Sequence, residues 1–172
     1  MIQTFEEYVQ KCGRAKFSKS ASARAKQILS LSKIKQLYFW CKRHHITVVF
    51  EQPSSVEWGI FLFSEKKIVI NATLVPCKAF VVMCHEIGHA LHNNSLVKKP
   101  INRWKFGYNA IGTTKHVQKT SAHKLAILDS EIEAWWLGEK LACDLNIVYD
   151  KNYFDKIKFE CIKSYIKSFI LK

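Results

Sequence analysis

The segment that begins at Pro76 constrains this chain most, because an apolar run over 80–83 leads directly into His85-Glu86-Ile87-Gly88-His89. Pro76 precedes the apolar run, and this run would bury one side of a helix that contains it. We therefore predict a helix over about 78–92. Residues four apart lie on the same face, about one turn apart. The two imidazoles can then bind one Zn²⁺ at about 2.0–2.1 Å each.

The residues around the two histidines have different predicted roles. Glu86 cannot chelate a metal together with them, but it can take a proton from an attacking water, as a general base does. Cys84 is about 100° from His85 around the helix, which favours packing over ligation. Gly88 costs about 1 kcal/mol relative to Ala in a helix. Two explanations are open for this glycine: the backbone of a neighbouring element approaches it closely, or the helix simply tolerates the cost.

A catalytic zinc needs a third protein ligand and an open fourth position. His92 lies about 10 Å along the helix axis from His85, too far to share a metal with it. The sequence also lacks the extended HExxHxxGxxH pattern. We interpret His92 as a histidine that supports the site or lies on the surface.

A second predicted helix, over about 121–145, carries two candidate carboxylates. Glu131 and Glu133 point roughly 160° apart, so one of them can face the site. Glu131 shares its face with Trp135 and Gly138, whereas Glu133 shares its face with charged residues such as Asp129. A carboxylate on an apolar face is costly unless something neutralises it. We predict Glu131 as the third ligand and keep Glu133 as the fallback; a buried ion pair with Arg or Lys is the alternative for Glu131.

The remaining pattern predicts an α+β fold, with helices around a small sheet of about three strands and no βαβ alternation. A capping box at Thr4 opens a short helix that Gly13 closes, and a small-residue hinge over 18–22 precedes a helix over about 23–44. A strand over 46–50, a hairpin over 58–71 and a final helix over about 151–169 complete the elements. We expect a single domain over 1–172, with a basic helical segment over 1–45 and a basic loop insertion over 93–120.

Positive charge is unevenly distributed along the chain. It has 27 Lys and Arg against 14 Asp and Glu, and neither 8–50 nor 87–128 contains an acid. Such segregation attracts polyanions, so we expect single-stranded nucleic acid or an acidic partner; a solvated basic surface is the alternative. Trp104, Phe106 and Tyr108 alternate with basic residues and can either stack on unpaired bases or cover the cleft.

The sequence also favours some locations over others. It has no apolar run of the roughly 18–20 residues that a membrane span needs, and its first residues do not resemble a signal peptide. The six cysteines are scattered, without a CxxC pair. We therefore expect no membrane association and a cytoplasmic protein with reduced thiols.

Two motifs together resemble the ImmA/IrrE family of zinc metallopeptidases over about 46–145. They are HEIGH at 85–89 and a second motif formed by Glu131, Ala134, Leu137, Gly138 and Leu141. The family usually has Phe-Ala where this chain has Leu137-Gly138. The resemblance implies a zincin-like fold with His85, His89 and Glu131 as zinc ligands and Glu86 as the catalytic residue. It also implies an endopeptidase whose usual substrate is a helix-turn-helix repressor, cleaved to derepress a phage, DNA-damage or defence operon.

Two further expectations concern the reaction. An exposed edge of the hairpin can hold a peptide in extended form, and the oxyanion needs a donor beyond the metal. Tyr108, His116 and His123 lie between the motifs and are candidate donors, although surface or packing roles are commoner. The alternative function is a basic nucleic-acid-binding regulator with an inactive or structural zincin site.

Overall fold

The structure is a computed structural model that describes residues 2–14, 21–52, 58–96 and 120–170. Five helices pack with a small mixed sheet, which confirms the α+β class. The elements in chain order are β1 (Ile2–Gln3), α1 (Phe5–Arg14), α2 (Ala21–Arg43), β2 (Thr47–Glu51), β3 (Gly59–Leu62), β4 (Lys67–Asn71), α3 (Pro76–Leu96), α4 (Ser121–Asp144) and α5 (Lys151–Ile170).

The sheet has the strand order β1-β2-β4-β3. β3 and β4 form the predicted antiparallel hairpin, and β2 pairs with β4 in parallel from Thr47 opposite Lys67 to Glu51 opposite Asn71. The three predicted strands are present. β1 adds a short fourth strand, antiparallel to the end of β2. Along the chain β3 lies between β2 and β4, and in the sheet β3 occupies the edge beyond β4.

The capping box at the start of α1 is present. The Thr4 N–H donates to Glu7 Oε2 at 2.8 Å, and the Glu7 N–H donates back to Thr4 Oγ1 at 3.2 Å. The prediction that Gly13 closes this helix is wrong, because α1 continues to Arg14. α2 begins at Ala21, two residues earlier than predicted. Residues 18–20 of the predicted hinge lie outside the described part of the chain.

Two long helices end in the same way without glycine. His45 and Asn146 follow α2 and α4 in the left-handed conformation, with φ of 57° and 53°. In each case the next residue is a buried isoleucine, Ile46 or Ile147, whose N–H donates to the carbonyl five residues earlier at 2.9 Å. This Schellman arrangement satisfies carbonyls at the helix end and buries an apolar side chain beside it.

α3 is the central helix and contacts α2, α4, β3 and β4. It is buried along most of its length from Ala79 to Ala90, and Phe50, Ile68 and Ile70 of the sheet are fully buried in the same core. The helix runs to Leu96, so the predicted loop over 93–120 was placed four residues too early. Residues 97–119 of that loop lie outside the described chain. None of the described helices is both long and apolar enough to cross a membrane.

Candidate metal centre

Two glycines let the backbones of α3 and α4 touch. A Cβ placed on Gly88 of α3 would lie 1.8 Å from the Ala134 carbonyl oxygen of α4. A Cβ on Gly138 of α4 would lie 2.0 Å from the Cys84 carbonyl oxygen of α3. Of the two explanations for Gly88, close backbone approach is therefore the one observed. Gly138 serves the same contact from the other helix, which explains glycine at this position of the second motif.

This crossing brings three potential ligands together. The Nε2 atoms of His85 and His89 are 3.2 Å apart. Glu131 Oε2 lies 3.1 Å from His85 Nε2, and Glu131 Oε1 lies 3.6 Å from His89 Nε2. Ligand atoms at about 2.0–2.1 Å from a tetrahedral ion are about 3.3–3.4 Å apart, so the spacing suits one divalent metal. Glu133 does not belong to this group and is less buried than Glu131.

The charges in this cluster are strongly coupled. Burial acts to raise the pKa of Glu131, but hydrogen bonds and positive charge from His85 and His89 hold it well below its ordinary value. Burial acts to lower the pKa of His89, but the hydrogen bond to Glu131 and the charges of Glu86 and Glu131 raise it overall. In the described chain the ion-pair partners of Glu131 are these histidines rather than an Arg or Lys. A metal dication held by the three side chains would also offset the negative charge of the buried Glu131 carboxylate.

Glu86 is buried beside the three ligands. Burial raises its pKa, while the charges of His85 and His89 and the backbone N–H of Phe61 act in the opposite direction. β3 can approach this carboxylate because its first residue is Gly59, whose added Cβ would lie 3.2 Å from Glu86 Oε1 and 2.6 Å from Val82 Cγ1. The first residues of β3 therefore lie against the carboxylate.

Trp135 orients the first histidine. Its ring stacks on His85 with centroids 4.2 Å apart and an interplanar angle of 19°, and it meets Phe154 of α5 edge-on at 5.6 Å. His85 Nδ1 is buried and has no hydrogen-bond partner among the described residues. Stacking on Trp135 thus holds the His85 ring in place, whereas many metal-binding histidines are held by a hydrogen bond from the ring nitrogen that does not bind the metal. The helical spacing already places Trp135 on the face of Glu131, one turn after it, but gives no sign that its ring stacks on His85.

A cavity of about 340 Å³ opens onto the site. Its size is within the range of ligand-binding pockets. α5 supplies a wall that the sequence analysis did not anticipate, because no motif links this terminal helix to HEIGH. The lining comprises Trp58, Gly59, Val82, His85, Glu86, Trp135, Cys161, Ser164, Tyr165 and Ser168. Burial and the nearby negative charge of Glu131 raise the pKa of Tyr165.

The other candidate residues lie elsewhere. His123 is buried near the start of α4, where its backbone N–H donates to Thr120 Oγ1 at 3.2 Å, and it does not line the cavity. His92 is buried rather than on the surface. Cys84 is fully buried, as packing predicts. The described residues do not include Trp104, Phe106, Tyr108 and His116.

Comparison with known proteins identifies no relative of this chain. The chain matches no family model, no curated protein and no solved structure.

Proposed function

We propose that this protein is a zinc-dependent endopeptidase that hydrolyses a peptide bond of a protein partner. The observation that supports it most is the convergence of His85, His89 and Glu131 within 4.8 Å, from two helices whose backbones touch. The buried Glu86 lies next to them and lines the cavity. A zincin-like arrangement of this kind has both a place for a metal and a base beside it.

The donor set favours zinc. Two imidazoles and one carboxylate form the ligand set of several catalytic zinc sites, which leave a fourth position open, whereas closed structural sites use four ligands and commonly cysteine. All three ligands lie on helices, and none is a cysteine. Bound here, the metal would polarise the scissile carbonyl and make an attacking water more acidic.

The protein's own residues account for the proton transfers. Glu86 accepts a proton as the water oxygen forms its bond to the carbonyl carbon. When the carbon–nitrogen bond breaks, Glu86 returns that proton to the leaving amine. Burial raises the pKa of this carboxylate, which makes it a stronger base toward the proton of the attacking water.

β3 offers a place for the substrate. It lies at the end of the strand order, paired on one side with β4 and, among the described residues, with no strand on the other. Gly59 at its start lines the cavity next to Glu86, and Ile60 is exposed. An extended peptide added to this edge would form backbone hydrogen bonds and pass the catalytic carboxylate.

The proposed partner follows from the resemblance to the ImmA/IrrE family. A helix-turn-helix repressor encoded beside this protein is the substrate to test first. The excess positive charge adds a second expectation, namely that single-stranded nucleic acid binds and regulates the protease. A nucleic-acid-binding regulator without proteolytic activity remains the alternative, and the same experiments separate the two.

The first experiment measures bound zinc and cleavage together. Wild type, Glu86→Gln, Glu131→Gln and the matched control Glu133→Gln are compared for zinc per chain. The same proteins are then incubated with the neighbouring repressor and with a proteome-derived peptide library, with and without single-stranded DNA. We expect one zinc in wild type, Glu133→Gln and Glu86→Gln, loss of zinc in Glu131→Gln, and no cleavage by Glu86→Gln. Equal cleavage by wild type and Glu86→Gln, or zinc retained by Glu131→Gln but lost by Glu133→Gln, contradicts the proposal.

A further inference from the structure

One face of α5 changes character along its length. Phe154 and Ile157 are buried in the core. The residues that continue the same three-and-four spacing line the cavity, and three of them carry hydroxyl groups: Ser164, Tyr165 and Ser168. A helix that only packed against the core would keep this face apolar. The change from apolar to hydroxyl side chains coincides with the place where α5 crosses the metal site.

α5 is held in place at both ends. Near its start, Lys151 Nζ lies 2.5 Å from Glu139 Oε1 of α4. Near its end, Lys124 Nζ of α4 donates to the Phe169 carbonyl oxygen at 2.7 Å. These contacts, together with the edge-on packing of Phe154 on Trp135, fix the hydroxyl face over the cavity.

Tyr165 lines the same cavity as His85 and Glu86, and Gly59 at the start of β3 belongs to that lining too. Burial, the negative charge of Glu131 and a hydrogen bond with that carboxylate raise the pKa of the Tyr165 hydroxyl. Its phenol therefore belongs to the wall of the cavity that holds the candidate base. The lining also includes the indole rings of Trp58 and Trp135, and the Trp135 indole nitrogen has almost no exposed surface.

We propose that Tyr165 is a catalytic residue whose hydroxyl donates a hydrogen bond to the scissile carbonyl oxygen as that oxygen gains negative charge. This inference rests on the proposed peptidase function. The phenol keeps its proton throughout, since the proton of the attacking water passes through Glu86 to the amine. A fixed donor aimed at the developing charge stabilises the transition state more than the ground state.

The test compares Tyr165→Phe with Tyr153→Phe, a matched loss of a phenol hydroxyl on the same helix but outside the cavity lining. A peptide that wild type cleaves is taken from the library, and a phosphonate replaces its scissile amide to mimic the tetrahedral oxyanion. kcat and KM are measured on the peptide. Bound zinc and the Kd of the phosphonate are measured on each zinc-loaded protein by calorimetry.

For Tyr165→Phe we expect kcat to fall about 100-fold and phosphonate affinity at least about tenfold, while KM and bound zinc stay close to wild type. Tyr153→Phe should leave all four quantities near wild type. An unchanged kcat in Tyr165→Phe, a loss of zinc that accounts for its lower kcat, or the same loss in Tyr153→Phe overturns the assignment. If wild type cleaves neither the repressor nor any library peptide, the proposed function is contradicted, and the Tyr165 assignment, which depends on it, is contradicted as well. A wild-type kcat in Tyr165→Phe contradicts the Tyr165 assignment and leaves the proposed function standing.

Discussion

Replacing Gly88 with alanine should force α3 and α4 apart and separate the histidine pair from Glu131. The added Cβ would lie 1.8 Å from the Ala134 carbonyl oxygen, and real Cβ atoms essentially never come within 3.0 Å of another heavy atom. The obstacle is backbone inside a helix, so no side-chain rotation relieves it. The two helices must therefore part locally by about 1.2 Å, because repulsion rises steeply below van der Waals contact.

The size of that movement sets two expected effects. Metal sites tolerate deviations of about 0.2 Å in ligand distance, so zinc affinity should fall by about 10–100-fold. Overpacking costs about 1–3 kcal/mol, from which alanine recovers up to about 1 kcal/mol through its higher helix propensity. With the full recovery subtracted, the free energy of unfolding of the metal-free protein should therefore fall by up to about 2 kcal/mol.

Both effects can be measured with one control. Thermal unfolding of the metal-free protein reports stability, at about 2–4 °C per kcal/mol for a chain of this length, and competition with a chelator reports zinc affinity. Lys140→Ala, on the exposed side of α4, removes a surface ion pair worth about 0.3–0.5 kcal/mol and should leave zinc affinity unchanged. A Gly88→Ala protein with wild-type unfolding temperature and wild-type zinc affinity would refute the role assigned to the backbone contact.

Three further predictions test other parts of the structure. The pKa of His89 is raised in the folded state, so its stabilising contribution is complete below about pH 6.5 and is lost as pH rises through the folded value. Metal-free protein should thus unfold at a lower temperature at pH 8 than at pH 6, and the difference should be smaller in His89→Ala. A higher unfolding temperature at pH 8 would contradict the interaction of His89 with the two carboxylates. Exposed Cys77 and Cys143 should react with iodoacetamide before Cys84, because Cys84 is buried and burial raises the pKa of its thiol. If mass spectrometry shows Cys84 labelled first, the described packing is wrong. Tyr8→Phe should lose about 1 kcal/mol in urea unfolding, because the buried Tyr8 hydroxyl donates to a backbone carbonyl oxygen at 3.0 Å; an unchanged midpoint rules this out.

Local rules explain which parts of the molecule the sequence predicts. Helical spacing places His85 and His89 on one face, and the apolar neighbours of Glu131 indicate that this carboxylate, rather than Glu133, turns inward. The structure brings those three side chains together. The capping box at Thr4 and the hairpin are equally local, since each depends on residues within a few positions of one another.

What the sequence does not predict depends on contacts between distant segments. Tyr165 reaches the site only because α5 packs across α4, and a single tyrosine on a terminal helix carries no spacing signal. The parallel pairing of β2 with β4 leaves no mark in either strand alone. Gly13 is a plausible helix end from its residue type, yet α1 continues through it, since glycine weakens a helix without forbidding it.

The shortest strand of the sheet has a consequence for how the protein meets other polypeptides. Ile2 and Gln3 pair with Glu51 and Phe50, so they occupy the outer hydrogen-bonding groups at the end of β2. A chain lacking its first three residues would leave these groups of β2 unpaired, and self-association by strand pairing would become easier.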